Sequence, residues 1–155
     1  KNNIIHRDIK SSNILVFNDN LVKITDFGVS KLLENNNLLA NTSIGTPYYM
    51  SPEIWQHKAY DQKCDVWSLG CLLYELASFE VPFKAQTQQG LSRVVLTGKY
   101  RHIPNHHYSR SLWKCIYTML KVSPSRRPQM ANIYSVCKKR EAENTSKVIE
   151  NTIQN

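Results

Sequence analysis

The chain has 155 residues, 41% of them hydrophobic and 21% charged, enough for one domain with its own core and too few for two of comfortable size. The formal charge is +8 at pH 7, yet apart from Lys138, Lys139 and Arg140 the basic residues are scattered rather than grouped with aromatics, which argues for a solvated basic surface and against a nucleic-acid face. The opening KNNIIHRD shows no start methionine and no signal-peptide run, and no stretch reaches the length of a membrane span, so a soluble, intracellular protein with no membrane partner is expected.

In chain order, residues 4–15, IIHRDIKSSNIL, place His, Arg, Asp, Lys and Asn between two aliphatic pairs. Burying Ile4, Ile5, Ile14 and Leu15 on both sides would anchor the polar loop and hold its side chains in place, as a site requires. NILVF at 13–17 and LVKITDF at 21–27 read as strands joined through Asn18, Asp19 and Asn20, a hairpin. From Gly28 to Pro52 no period is sustained, and a long irregular segment of this kind is usually functional or disordered.

CDVWSLGCLLYELAS at 64–78 is apolar on nearly every face and predicts a helix buried on all sides, with Asp61 as its N-cap. LSRVVLTGKY at 91–100 predicts a shorter helix closed by Gly98. SLWKCIYTMLKV at 111–122 predicts one whose buried face carries Leu112, Cys115, Ile116, Met119 and Leu120. A last helix is expected from about Gln129 to Lys138, followed by a polar tail. The four cysteines, Cys64, Cys71, Cys115 and Cys137, have no C-x-x-C spacing and are read as reduced core thiols. His102, His106 and His107 lie around Pro104 without a fourth ligand in view, and a solvated loop is the better reading than a metal site.

The pattern H-R-D-x-K-x-x-N fixes His6, Arg7, Asp8, Lys10 and Asn13, a chance match on the order of one in three million per start position. Asp26-Phe27-Gly28 follows at the end of the second strand, then Gly45-Thr46-Pro47 and Ser51-Pro52-Glu53. The sequence resembles the C-terminal lobe of a eukaryotic protein kinase over residues 1–138, and GTPYYMSPE with DVWSLGCLLYELAS is most similar to the NIMA-related serine/threonine branch.

The fold so implied is mainly α, a kinase-like C-terminal lobe with a small β-hairpin beside the catalytic loop, residues 139–155 being a tail or linker. The implied activity is transfer of the ATP γ-phosphoryl group to Ser or Thr hydroxyls of proteins, with ATP and Mg2+ as cofactors. Asp8 would orient the incoming hydroxyl and accept its proton, and Lys10 would neutralise the transferring group. Asn13 and Asp26 would offer hard oxygen ligands to magnesium, Leu15 would floor the adenine pocket, and Thr46 would bridge Asp8 and Lys10.

The resemblance also assigns regulation and architecture. Thr42, with Ser43 as competitor, matches the phosphorylated residue of an activation segment, and Arg7 its charge partner; an upstream kinase or autophosphorylation would supply the phosphate. His6 and Phe27, next to Gly28, belong to an apolar stack, and Glu53 and Arg127 to a buried ion pair. Asp65 is expected either to hold the backbone of the His6-Arg7-Asp8 loop or to stabilise its own helix N-terminus. Val29 tilts acceptor choice toward threonine. By family analogy the location is cytoplasmic, with cytoskeletal or nuclear association.

No glycine-rich loop, strand lysine, helix glutamate or hinge precedes His6, so the N-terminal lobe is absent and the chain reads as a fragment, inactive by itself. Two other readings are a non-catalytic binding module derived from a kinase lobe and a basic nucleic-acid binder. The joint presence of Asp8, Lys10, Asn13 and Asp26 weighs against the first, and only scattered charge favours the second.

Overall fold

The computed structural model describes residues 5–18, 21–27, 47–103 and 108–153, with side chains up to residue 144. Two short strands, β1 (Ile14–Val16) and β2 (Val22–Ile24), pair antiparallel in the register Ile14 with Ile24, Leu15 with Lys23 and Val16 with Val22. Among the described residues the other regular elements are helical, chiefly α1 (Pro52–Trp55), α2 (Lys63–Ser78), α3 (Gln88–Thr97), α4 (Arg110–Met119) and α5 (Met130–Ile153). Among the described residues no helix is long and apolar enough to cross a membrane.

The core is built around α2. Its start is fixed by the Asp61 carboxylate, which accepts the Lys63 N–H at 2.9 Å, although Gln62 rather than Asp61 occupies the cap position itself. Trp67 and Cys71 are fully buried, and the Trp67 ring stacks on Phe83 at 5.2 Å. Val95 of α3 and Ile116 of α4 close the same cluster. The helix is not enclosed on every side: Leu76 is 61% exposed, and the chain leaves α2 through Phe79 in a left-handed conformation with φ of 59°. Thr87 caps α3 by accepting the Gly90 N–H, and Gly98, at φ 63°, ends it where the sequence places the stop.

α2 packs tightly against the end of α4 at Gly70, where a Cβ would stand 2.8 Å from Met119 Cβ and 3.0 Å from Leu120 Cδ2. Neither neighbour can swing away, because Met119 is fully buried and Leu120 nearly so. Gly70→Ala should therefore destabilise the domain by about 1–3 kcal/mol through overpacking, read as a lower denaturation midpoint. An unchanged midpoint would mean that α4 retreats without cost.

Three further sequence expectations need correction. The buried face of α4 is centred on Trp113, Ile116 and Met119, whereas Leu112 and Cys115 are only partly buried. α5 does not stop near Lys138 but continues to Ile153. Lys, Arg, Glu and Ala are good helix formers, and the pairs Lys138–Glu141 at 2.9 Å and Arg140–Glu143 at 3.6 Å support the exposed turns. Cys64 and Cys71 are core thiols as expected, but Cys115 is half-buried and Cys137 is exposed.

Candidate active site

The loop from Ile5 to Asn13 is tied down at both ends by burial and in the middle by hydrogen bonds. Ile5 and Ile9 are buried, so the polar residues between and after them are presented from an anchored backbone. The Asp65 carboxylate, in the first turn of α2, accepts the N–H of His6 and of Arg7, each at 2.8 Å. Of the two roles open to Asp65 from sequence, the structure thus shows it holding the loop backbone. Arg7 sits at φ 70° in the left-handed region, a strained conformation for a non-glycine residue that these two bonds help to impose.

Beyond that strained residue, three side chains converge. Lys10 Nζ lies 2.7 Å from Asp8 Oδ2. Asn13 Nδ2 donates to the same oxygen at 2.9 Å and to the Asp8 backbone carbonyl at 2.8 Å. With its nitrogen committed to Asp8, the Asn13 amide leaves its oxygen available to a hard cation. Both partners of the Asp8–Lys10 pair remain partly exposed, at 31% and 24% of the side chain, so each can reach a substrate.

The hairpin carries Asp26 to the same loop. Thr25 N–H donates to the Asn13 carbonyl at 2.9 Å, and His6 Nε2 lies 3.1 Å from the Thr25 carbonyl, which fixes the chain immediately before Asp26. Asp26 is exposed at φ 65°, and the next ring, Phe27, meets His6 edge to face at 4.8 Å. Leu15, on β1 beside these groups, is 44% exposed. The Arg7 guanidinium lies 5.2 Å over the Tyr60 ring, and its Nε is buried with no hydrogen-bond partner. Gly28, Val29, Thr42, Ser43 and Thr46 fall outside the described residues.

A second polar network escaped the sequence reading. Ser11 Oγ shares a 3.0 Å hydrogen bond with the Tyr49 hydroxyl, which donates to Glu75 Oε2 at 2.5 Å, while Ser68 Oγ donates to the Tyr49 carbonyl at 2.9 Å. Burial and the Glu75 carboxylate both push the Tyr49 phenol above its ordinary range, so it stays a donor. The network fastens the loop and residues 47–50 to one face of α2. The signal for it was present in Ser68 and Glu75, polar residues inside an otherwise apolar helix.

Glu53 and Arg127 form a fully enclosed bidentate pair, with both Nη–Oε distances 2.7 Å. Arg127 also donates to the carbonyls of Lys63, Lys121 and Val122, so α1, α2 and the turn before α5 meet on one guanidinium. No group of three or more His, Cys, Asp or Glu side chains positioned for a metal occurs among the described residues.

Residues 1–137 match the protein kinase domain family. A Dictyostelium discoideum protein named probable serine/threonine-protein kinase nek3 is 45% identical over 135 residues, 84% of this chain and 12% of that protein. Human serine/threonine-protein kinase Nek2 is 42% identical over 84% of the chain and 29% of its own length, and the Neurospora crassa G2-specific protein kinase nim-1 is 43% identical over 86% and 15%. The chain thus spans less than a third of the length of these relatives. On this match and on the loop geometry above, the chain belongs to the protein kinase family, within which it is similar to the NIMA-related serine/threonine kinases.

Proposed function

We propose that residues 1–138 are the C-terminal lobe of a serine/threonine protein kinase, which transfers the γ-phosphoryl group of ATP to Ser or Thr hydroxyls of protein substrates, and that residues 139–155 lie outside the domain. The observation that carries this reading is the Asp8, Lys10 and Asn13 cluster on a loop clamped by Asp65. Phosphoryl transfer asks the protein for placement and countercharge rather than covalent chemistry, and this cluster supplies both. The relatives' names, as serine/threonine kinases, point to the acceptor.

In this reading Asp8 orients the acceptor hydroxyl and takes its proton, its carboxylate being held in place by Asn13. Lys10, paired with Asp8 before substrate arrives, is close enough to share its charge with the transferring phosphoryl oxygens. The donor set fits magnesium: the Asn13 amide oxygen and the exposed Asp26 carboxylate are hard ligands on adjoining, hydrogen-bonded segments. Bound there, the ion would neutralise charge on the ATP phosphates. Leu15 offers an apolar surface to the adenine, and the unpartnered Arg7 Nε is suited to a phosphate on Thr42.

A longer protein that carries these residues together with an ATP-binding N-terminal lobe should transfer labelled phosphate from ATP to Ser and Thr peptides, whereas residues 1–155 alone should not; label confined to tyrosine, or no transfer by the longer protein, would overturn the reading. In the full-length kinase, Thr42→Ala should lower activity relative to the phosphorylated protein, because Arg7 loses the anion proposed to pair with it. Mass spectrometry of the active form that finds Ser43 alone modified would assign the switch to that residue instead.

A further inference from the structure

Two contacts, one on each side of a cysteine pair, relate α4 to α5 and place their chain directions opposite. At one end Met119 of α4 and Ile133 of α5 belong to one buried cluster with Val66, and Cys115 packs against that cluster. At the other end Arg140 Nη2 donates to Ser111 Oγ at 2.5 Å. Cys115 lies one helical turn from both Met119 and Ser111, and Cys137 lies one turn from both Ile133 and Arg140. The register therefore sets Cys115 and Cys137 in the same layer. Burial, and after it the charge of the nearby Cys137 side chain, raises Cys115 above the ordinary thiol range.

The two thiols differ in access. Cys137 is exposed, whereas Cys115 is half-buried. Neither competitor is suited to exchange, because Cys64 and Cys71 are buried and burial pushes Cys64 up to about 12 and Cys71 higher. We infer that Cys115 and Cys137 are a redox modification site, which takes a low-molecular-weight disulfide such as oxidised glutathione at Cys137 and closes to a bridge between α4 and α5.

The exchange balances without any other reagent. The Cys137 thiolate attacks one sulfur of oxidised glutathione, forming a protein–glutathione disulfide and releasing one glutathione thiolate. Cys115 gives up its proton, attacks the Cys137 sulfur and expels the second glutathione thiolate. Two protein thiols become one disulfide, one glutathione disulfide becomes two thiols, and the two protons pass from the cysteines to the released thiolates. Because the bridge would fasten the long exposed helix α5 to α4, oxidation couples the surface of α5 to the core through Met119 and Ile133.

The test incubates the purified protein with oxidised and reduced glutathione at graded ratios and maps unreduced proteolytic peptides by mass spectrometry. The expected product joins the Cys115 and Cys137 peptides, with both thiols lost, Cys64 and Cys71 still free, and the thermal midpoint raised by a few degrees. Cys115→Ser should stop at glutathione on Cys137, and Cys137→Ser should leave Cys115 unreacted; circular dichroism of each variant confirms that it folds. If one variant fails to fold, the peptide map of the unaltered protein decides by itself. Glutathione that stays on Cys137 in that protein, a cross-link that uses Cys64 or Cys71, or no loss of thiol at all overturns the inference.

Discussion

In a full-length kinase that carries this lobe, Asp8→Asn should lower phosphoryl transfer by about 10²–10⁴-fold, the range of a positioned general base, while changing the affinity for magnesium-ATP by less than about twofold. The substitution keeps the side chain's size, and its amide oxygen can still accept from Asn13 Nδ2, which also retains the residue 8 carbonyl as a partner. The loop clamp at Asp65 is untouched, since it acts on the backbone of His6 and Arg7. What is lost is the proton acceptor and the charge opposite Lys10, 2.7 Å away. Asp26→Ala should show the opposite balance, because it removes a carboxylate offered to the cation while sparing Asp8: nucleotide affinity falls first and transfer falls with it. Calorimetric titration of magnesium-ATP into both variants, alongside single-turnover assays, separates the two roles. Equal loss of nucleotide binding in the two variants would sink the assignment of Asp8 to proton transfer and Asp26 to the cation.

How much of this could be read from the residues depended on whether local pattern or long-range pairing fixed the feature. α2 was legible because a run apolar on nearly every face has few alternatives to burial, and the end of α3 was legible because Gly98 supplies the left-handed residue that a helix stop requires. Trp113 was missed because helical spacing alone could be satisfied by the stripe through Leu112 and Cys115, and only packing against α2 rotated the face. The length of α5 was missed for the converse reason: residues 138–144 are exposed and carry no apolar period, and the stability of those turns comes from residue propensity and short-range ion pairs. At the site, the order and spacing of Asp8, Lys10, Asn13 and Asp26 were plain, but the left-handed backbone at Arg7 and Asp26 was not, since neither residue type demands it. Ser68 and Glu75 were hidden by the apolar average of the helix that carries them. Glu53 and Arg127, 74 residues apart, have no local signature at all and were named only through family resemblance.

That distant pair carries the largest stability effect expected in the molecule. Arg127→Ala should destabilise the domain by about 3–5 kcal/mol, because it leaves the Glu53 carboxylate buried without its countercharge. The loss is compounded by geometry: the same guanidinium serves the carbonyls of Lys63, Lys121 and Val122, and alanine leaves those three acceptors without that donor. Against a total stability of about 5–15 kcal/mol for a typical domain, such a change moves a large fraction of molecules toward the unfolded state. Arg127→Lys should fall between, since an ammonium keeps the charge but cannot present the planar fork that satisfies both carboxylate oxygens. The double variant Glu53→Gln with Arg127→Met is the informative one: with the charge removed from both sides it should be less destabilised than Arg127→Ala, as expected when the cost lies in the stranded carboxylate rather than in lost packing. Chemical denaturation of the four proteins, compared at equal slope, reads the order directly. A midpoint for Arg127→Ala equal to that of the unaltered protein, or a double variant worse than either single change, would remove the ion pair from its place as the clamp between α1, α2 and the turn before α5.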